Sequence, residues 1–161
     1  MLSGYRSGSD VQHGRQHQRE YHVKRYAVLA LGAVSLTFLS ISGAFGAPTA
    51  LDISDGGKKL SGDAVHGKTI FNRCMVCHTV QAGVNHIGPS LHGVVGRPAG
   101  TAVGFNYSRA NKSSGITWTE QKIFDYLKNP QAMVPGTKMT FPGLPNAQDR
   151  ADVIAYLKQN S

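Results

Sequence analysis

Cysteine is scarce in this chain of 161 residues: there are two, Cys74 and Cys77. So few cannot build a disulfide framework, and a bridge between them would be strained and reactive rather than a structural staple. No second cysteine pair completes a closed four-ligand zinc site; only His86 and His92 follow. Period-two alternation is also scarce, and no strand pattern precedes Cys74, so the βαβ surround expected of a redox dithiol is missing. Acidic side chains are few, 9 against 17 Lys and Arg, for a formal net charge of +8. Residues 1–50 hold five basic and two acidic residues, and the remainder twelve and seven. The first excess flanks an apolar run and is a targeting feature. The second suits an acidic partner surface, where charge acts mainly on encounter rate and orientation. With no nucleic-acid motif and no dense basic stripe, nucleic acid is not the expected partner.

The two cysteines stand in Cys74-Met75-Val76-Cys77-His78, and Cys-x-x-Cys-His is the attachment pattern for c-type haem. On a helix, positions i, i+3 and i+4 share one face. Cys74 and Cys77 can therefore form thioethers to a haem while His78 reaches the iron from the same side.

Residues 3–22 are polar and read as disordered. Lys24-Arg25-Tyr26 then leads into an apolar stretch from Ala27 to Phe45, with small residues in Ser42-Gly43-Ala44-Phe45-Gly46-Ala47. This order predicts an export signal, cut after Ala44 or after Gly46. An uncleaved membrane anchor over residues 27–45 is the second reading, because the stretch is about as long as the shortest span. A start at Val23 would give a more compact signal. The expected organisation is a leader over 1–47, a Gly/Lys-rich linker over 48–61 and one domain over 62–161. Export agrees with the motif, since bacterial c-type haem is attached outside the inner membrane.

Within the domain, Ser61 or Asp63 can cap a first helix. Ala64, Gly67, Ile70, Phe71 and Cys74 form its apolar stripe. Gly67 costs that helix stability, and close approach of another helix is the expected reason. Frequent Gly and Pro from Ala82 to Gly115 predict loops with no sustained helix. Thr117 and Glu120 have capping-box spacing for a second helix, which Asn129-Pro130 ends. A last helix opens near Asn146, with Ala147, Ala151, Ile154, Ala155 and Leu157 on its apolar face. The sum is a small all-α domain, three main helices and long loops. A loop-rich chain of about 110 residues from 48 onward has a modest core, and a buried porphyrin would give the loops something to pack against.

A haem with one His on its proximal face needs a ligand, or an open site, opposite, and that decides between carrier and enzyme. Met75 lies between the cysteines and cannot cross the ring. Met139, in the irregular segment Pro135–Gly143, is the stronger candidate. Met133, His86 and His92 stay open as alternatives on pattern alone.

From about Gly62 to Lys158 the chain resembles class I cytochrome c of the mitochondrial and α-proteobacterial type. The matching stretches are Gly67 and Phe71, Cys74 to Val80, Gly88-Pro89-Ser90-Leu91-His92-Gly93 and Gly104 to Asn111. They continue with Gly115-Ile116-Thr117-Trp118, Tyr126 to Pro130, Val134 to Phe141 and Ile154 to Leu157. The resemblance implies the cytochrome c fold, one covalent haem c, and Met139 opposite His78, because Pro-Gly-Thr-Lys-Met is the family's distal-ligand segment. It also implies a role for the Pro89 carbonyl, oriented against His78. Trp118 and Arg97 would meet the haem propionates, with Tyr107 nearby. Tyr126, Asn111 and Thr137 would form a polar network beside Met139, and Phe141 would cover the exposed haem edge. Gly67, Phe71, Val153 and Tyr156 would join the first and last helices.

The function so implied is one-electron transport by a monomer, not catalysis. The implied donor is a quinol-oxidising complex, and the acceptor a terminal oxidase or another periplasmic redox enzyme. The membrane enters only through an uncleaved leader. A peroxidase-like enzyme and a gas-binding haem module, each with a labile Met139, are the competing classes. Gln131 and Ala132 stand where lysines are common in family members that dock on respiratory complexes, and the loop after Val80 also differs.

Overall fold

The structure, a computed structural model, describes residues 47–161, so the apolar segment 27–45 of the expected leader lies outside the described residues. The elements are β1 (Thr49–Asp55), β2 (Lys58–Gly62), α1 (Ala64–Phe71), α2 (Arg109–Lys112), α3 (Glu120–Lys128), α4 (Pro130–Met133) and α5 (Ala147–Gln159). The three longest helices are the three expected from the apolar stripes. Among the described residues no helix is long and apolar enough to cross a membrane.

The expected linker over 48–61 is a correction. β1 and β2 form an antiparallel hairpin, paired from Thr49 with Gly62 to Asp55 with Lys58. Gly56 and Gly57 make its tight turn, with φ of 57° and 85°, which residues with a Cβ rarely adopt. Leu51 and Ile53 alternate with polar neighbours and are buried, each contributing about 1.5–3 kcal/mol. The exposed lysines and turn glycines conceal this two-residue apolar face. The other edge of β1 is covered by α3 side chains. The Asp52 amide donates to the Glu120 carboxylate, and the Ser54 amide donates to Gln121 Oε1 at 2.8 Å. These bonds satisfy strand amides that an open edge would leave unpaired. Glu120 also pairs with Lys158 of α5 at 2.7 Å, so one carboxylate ties hairpin, α3 and α5 together.

That position of Glu120 corrects the capping-box reading. Thr119, not Thr117, caps α3, its hydroxyl accepting from the Lys122 amide at 3.2 Å. Thr117 is instead paired with Pro98 in an extended bridge and is not free to turn into the helix. Asn129 ends α3 and caps the single turn of α4, accepting from the Ala132 amide. Between Ala82 and Gly115 the one helical turn is α2, capped by Ser108.

α1 and α5 pack without side-chain separation at Gly67. A Cβ there would strike the backbone carbonyl of Asp152. Beside this crossing the rings of Phe71 and Tyr156 lie 5.1 Å apart. The buried Asp152 carboxylate accepts from the Asp63 amide at 2.8 Å, Gln148 Nε2 at 2.7 Å and His66 Nδ1 at 2.7 Å. The His66 bond to Asp152 raises the imidazole pKa. Asp63, whose amide joins this cluster, also caps α1 by accepting from the Val65 and His66 amides. The start of α1 and the middle of α5 are thus locked by a buried, fully bonded carboxylate, and the chain leaves α1 in a fixed direction toward Cys74.

Candidate functional site

Beyond Phe71 the chain continues in tight turns rather than regular helix. The Cys74 amide donates to Phe71 O at 2.7 Å, and the Cys77 and His78 amides donate to Cys74 O at 3.0 and 2.9 Å. These bonds keep Cys74, Cys77 and His78 on one side of the chain, and all three line a cavity of about 410 Å³. Burial pushes the Cys74 thiol up to about 11. A redox dithiol needs a lowered thiol pKa, the opposite direction. Among the described residues no three His, Cys, Asp or Glu side chains gather into a metal cluster, which leaves the closed zinc site without support.

The imidazole of His78 is held from behind. Its Nδ1 donates to the Pro89 carbonyl at 2.8 Å, so Nε2 is the nitrogen available to a metal. Burial lowers the His78 pKa against the opposing effect of that bond, favouring the neutral imidazole that coordination requires. The loop carrying Pro89 is itself fastened: the Gly88 amide donates to Cys77 O at 2.8 Å, and the Ser90 amide donates to Asn85 Oδ1 at 2.9 Å. A Cβ at Gly88 would collide with the His78 ring.

Further lining comes from α3 and the segment after α4. Met139 is partly buried against the core and lines the cavity. Its amide donates to Thr137 Oγ1 at 3.2 Å, and that hydroxyl is bonded to the Tyr126 hydroxyl at 3.2 Å. Burial raises the Tyr126 pKa, so the phenol stays protonated and can serve that bond. The segment is also held from outside. Gln131 Nε2 donates to Met139 O at 2.9 Å and Thr137 O at 3.3 Å, and Lys138 Nζ donates to Asn106 O at 3.0 Å. Gln131 is thus a positioning residue that sequence reasoning noted only as a missing lysine. Its spacing from the methionine, eight residues across a Pro/Gly loop, carries no helical or strand period that would reveal it.

The remaining expected residues line the same cavity: Pro89, Arg97, Tyr107, Asn111, Trp118, Tyr126, Thr137 and Phe141. Arg97 directs NH1 and NH2 to the carbonyls of His92 and Ser90, at 3.0 and 2.8 Å, so it braces the Pro89 loop. Asn111 is buried in the wall, yet its Oδ1 has no hydrogen-bond partner among the described residues, so through that atom it does not join the Tyr126–Thr137 pair. Trp118 packs its ring 4.8 Å from that of Tyr126, and its amide donates to Arg97 O at 2.9 Å. Leu91, Val94, Phe105 and Ile123 complete an apolar wall that the motif does not reveal.

These residues fit a haem. Two thiols, an imidazole with one free nitrogen and a thioether line one cavity together with apolar side chains and a few polar ones. The cavity that they line has a volume in the range of cofactor sites, and Gly88 leaves room for the imidazole. The family model for cytochrome c matches residues 64–161.

The chain belongs to the cytochrome c family.

Among its relatives, a cytochrome c2 of Rhodopila globiformis is 55% identical over 98 residues, covering 60% of this chain and 92% of the relative. A cytochrome c of Gossypium barbadense is 51% identical over 102 residues, covering 62% and 92%. Among solved structures, cytochrome cH from Methylobacterium extorquens has a TM-score of 0.58 at 44% identity, covering 61% of this chain and 99% of that one. Cytochrome c2 from Rhodospirillum centenum has a TM-score of 0.59 at 42% identity, covering 62% and 99%. As a cytochrome c the chain is a haem electron carrier, and its cofactor is covalent haem c at the Cys74–Cys77 pair. The hairpin β1–β2 precedes the stretch that the family model matches.

Proposed function

We propose that this cytochrome is a one-electron shuttle in which His78 and Met139 would hold the haem iron. The observation that supports the reading is that the Pro89-bonded His78 and Met139 line the same cavity. Iron in haem supplies a ferric–ferrous couple, and a thioether ligand favours the reduced state relative to a second imidazole. The chain's own part is to fix geometry. Pro89 sets the ring of His78 and strengthens it as a donor. The Tyr126–Thr137 pair, Gln131 and Lys138 hold the Met139 segment, so little moves when an electron arrives. The apolar wall keeps water from the iron. With His78 and Met139 both holding the iron, no position would stay open to peroxide or a gas, which supports a carrier rather than an enzyme.

The donor is a quinol-oxidising complex, and the acceptor a terminal oxidase or another periplasmic redox enzyme. The Lys24-Arg25 flank and apolar run of the leader support export to the periplasm. A potentiometric titration of holoprotein purified from the cell envelope tests the carrier reading. One reversible single-electron step is expected, with ferrous protein that does not bind carbon monoxide. Irreversible oxidation, or rapid carbon monoxide binding by the unaltered protein, would contradict it.

A further inference from the structure

Main-chain polar groups of a folded protein are normally paired, and the segment that carries Met139 has few such pairs. Among the described residues no backbone–backbone hydrogen bond reaches Lys138–Gly143. The nearest flank it: the Thr137 amide donates to Val134 O at 3.0 Å, and the Leu144 amide donates to Leu127 O at 2.7 Å. Between those points the main chain is bonded by side chains alone. The Met139 amide donates to Thr137 Oγ1, a local contact. The Met139 carbonyl accepts from Gln131 Nε2 at 2.9 Å. That bond is the one fastening of this main chain from outside the loop among the described residues, since Lys138 reaches Asn106 O through its side chain.

Gln131 stands on a rigid base. It follows Pro130 in the turn of α4, and Pro130 is fully buried, with its φ fixed by the ring. Asn129 caps the turn by accepting from the Ala132 amide at 3.1 Å, and the Val134 amide donates to Pro130 O at 2.9 Å. The primary amide carries two hydrogens on one nitrogen. It meets two carbonyls with them, those of Met139 and, at 3.3 Å, of Thr137. One neutral side chain thus closes over both residues that flank Lys138. A lysine at this position would bring a compact charge on a flexible stem instead of a planar pair of donors.

We infer that Gln131 is the latch of the Met139 segment: its two bonds set how rarely the thioether leaves its place and opens the cavity to an outside ligand. The inference rests on the His78–Met139 reading above and adds the residue that keeps the distal position closed. Gln131 is exposed, so water competes for the carbonyls, and each bond changes the opening equilibrium by about two- to tenfold. Its loss is a local opening and leaves the rest of the domain folded.

The test uses ferric holoprotein with imidazole as the probe. Imidazole binds only where the thioether has left, so its apparent affinity reports the open fraction. Gln131→Leu removes both donors at similar size, and Gln131→Glu sets carboxylate oxygens against the two carbonyls. Each should tighten imidazole binding about fivefold or more. Both variants should keep the sulfur–iron charge-transfer band without imidazole, because the closed form still dominates. Hydrogen exchange of the Met139 amide should quicken by a similar factor, while the Ile154 and Ala155 amides of α5 stay within about twofold. Gln121→Leu, an exposed glutamine of α3 that bonds the hairpin, should leave imidazole binding within about twofold of the parent. Imidazole affinities within about twofold of the parent in both Gln131 variants overturn the inference. So does an equal rise of exchange in α5, which would make Gln131 a general structural residue, or an equal gain in Gln121→Leu. A ferric parent without the charge-transfer band overturns the His78–Met139 reading and this inference with it. A parent that has the band, with Gln131 variants at parental affinity, overturns this inference alone.

Discussion

Met139→Ala should lower the reduction potential by on the order of 0.2 V, within the roughly 0.8 V that axial ligation spans. The ferric protein should lose its weak sulfur–iron charge-transfer band, and the ferrous protein should gain carbon monoxide binding. The change reads the ligand rather than the loop. Gln131 reaches the carbonyls of Thr137 and Met139, and Lys138 reaches the Asn106 carbonyl, so these bonds survive loss of the Met139 side chain. The Tyr126–Thr137 pair is likewise independent of it. Retention of the charge-transfer band would mean that another sulfur holds the iron. Met133 would then be the candidate, because Met75 lies on the proximal side within the motif and is exposed.

Gly67→Ala should destabilise the holoprotein by about 2 kcal/mol, although Ala is about 1 kcal/mol better than Gly inside a helix. Packing decides the sign. The new Cβ would meet the Asp152 carbonyl and the Val153 amide, and neither belongs to a flexible side chain that can swing aside. α1 must therefore move off α5, disturbing the Phe71–Tyr156 contact and the bonds to Asp152. In thermal unfolding this is a fall in Tm on the order of 10 °C for a domain of this size. Thr69→Ala, on the same helix but exposed, should stay within about 0.5 kcal/mol. A Gly67→Ala protein as stable as the parent would show that α1 and α5 do not depend on this close approach.

The haem site was legible wherever its chemistry is carried by residue type and spacing. Cys74, Cys77 and His78 declare themselves by their i, i+3, i+4 pattern. Gly67 betrays a close helix contact because nothing else justifies a glycine in an apolar stripe. Met139 stood out because its Pro/Gly segment leaves the thioether free to turn inward, and the family resemblance singled it out. What escaped depends on contacts between distant residues. Gln131 bonds to carbonyls, which any residue could supply. The bonds of Arg97 to the His92 and Ser90 carbonyls are likewise invisible in residue type and spacing. The hairpin escaped because two apolar residues, Leu51 and Ile53, are too short a period to stand out beside lysines and turn glycines. Glu120 has the spacing of a capping residue, and only the hairpin's arrival at α3 reveals its other use. Thr117 lost its capping role to its pairing with Pro98, a contact across nineteen positions that local pattern does not carry.

The central claim is that one haem is joined to this chain through both cysteines of the motif. Mass spectrometry of the peptide spanning Cys74–His78, from protein purified from its own cell envelope, tests it most directly. The account predicts that this peptide carries one intact haem and no free thiol. A peptide with two alkylatable thiols, or with the cysteines joined as a disulfide and no haem, would contradict it.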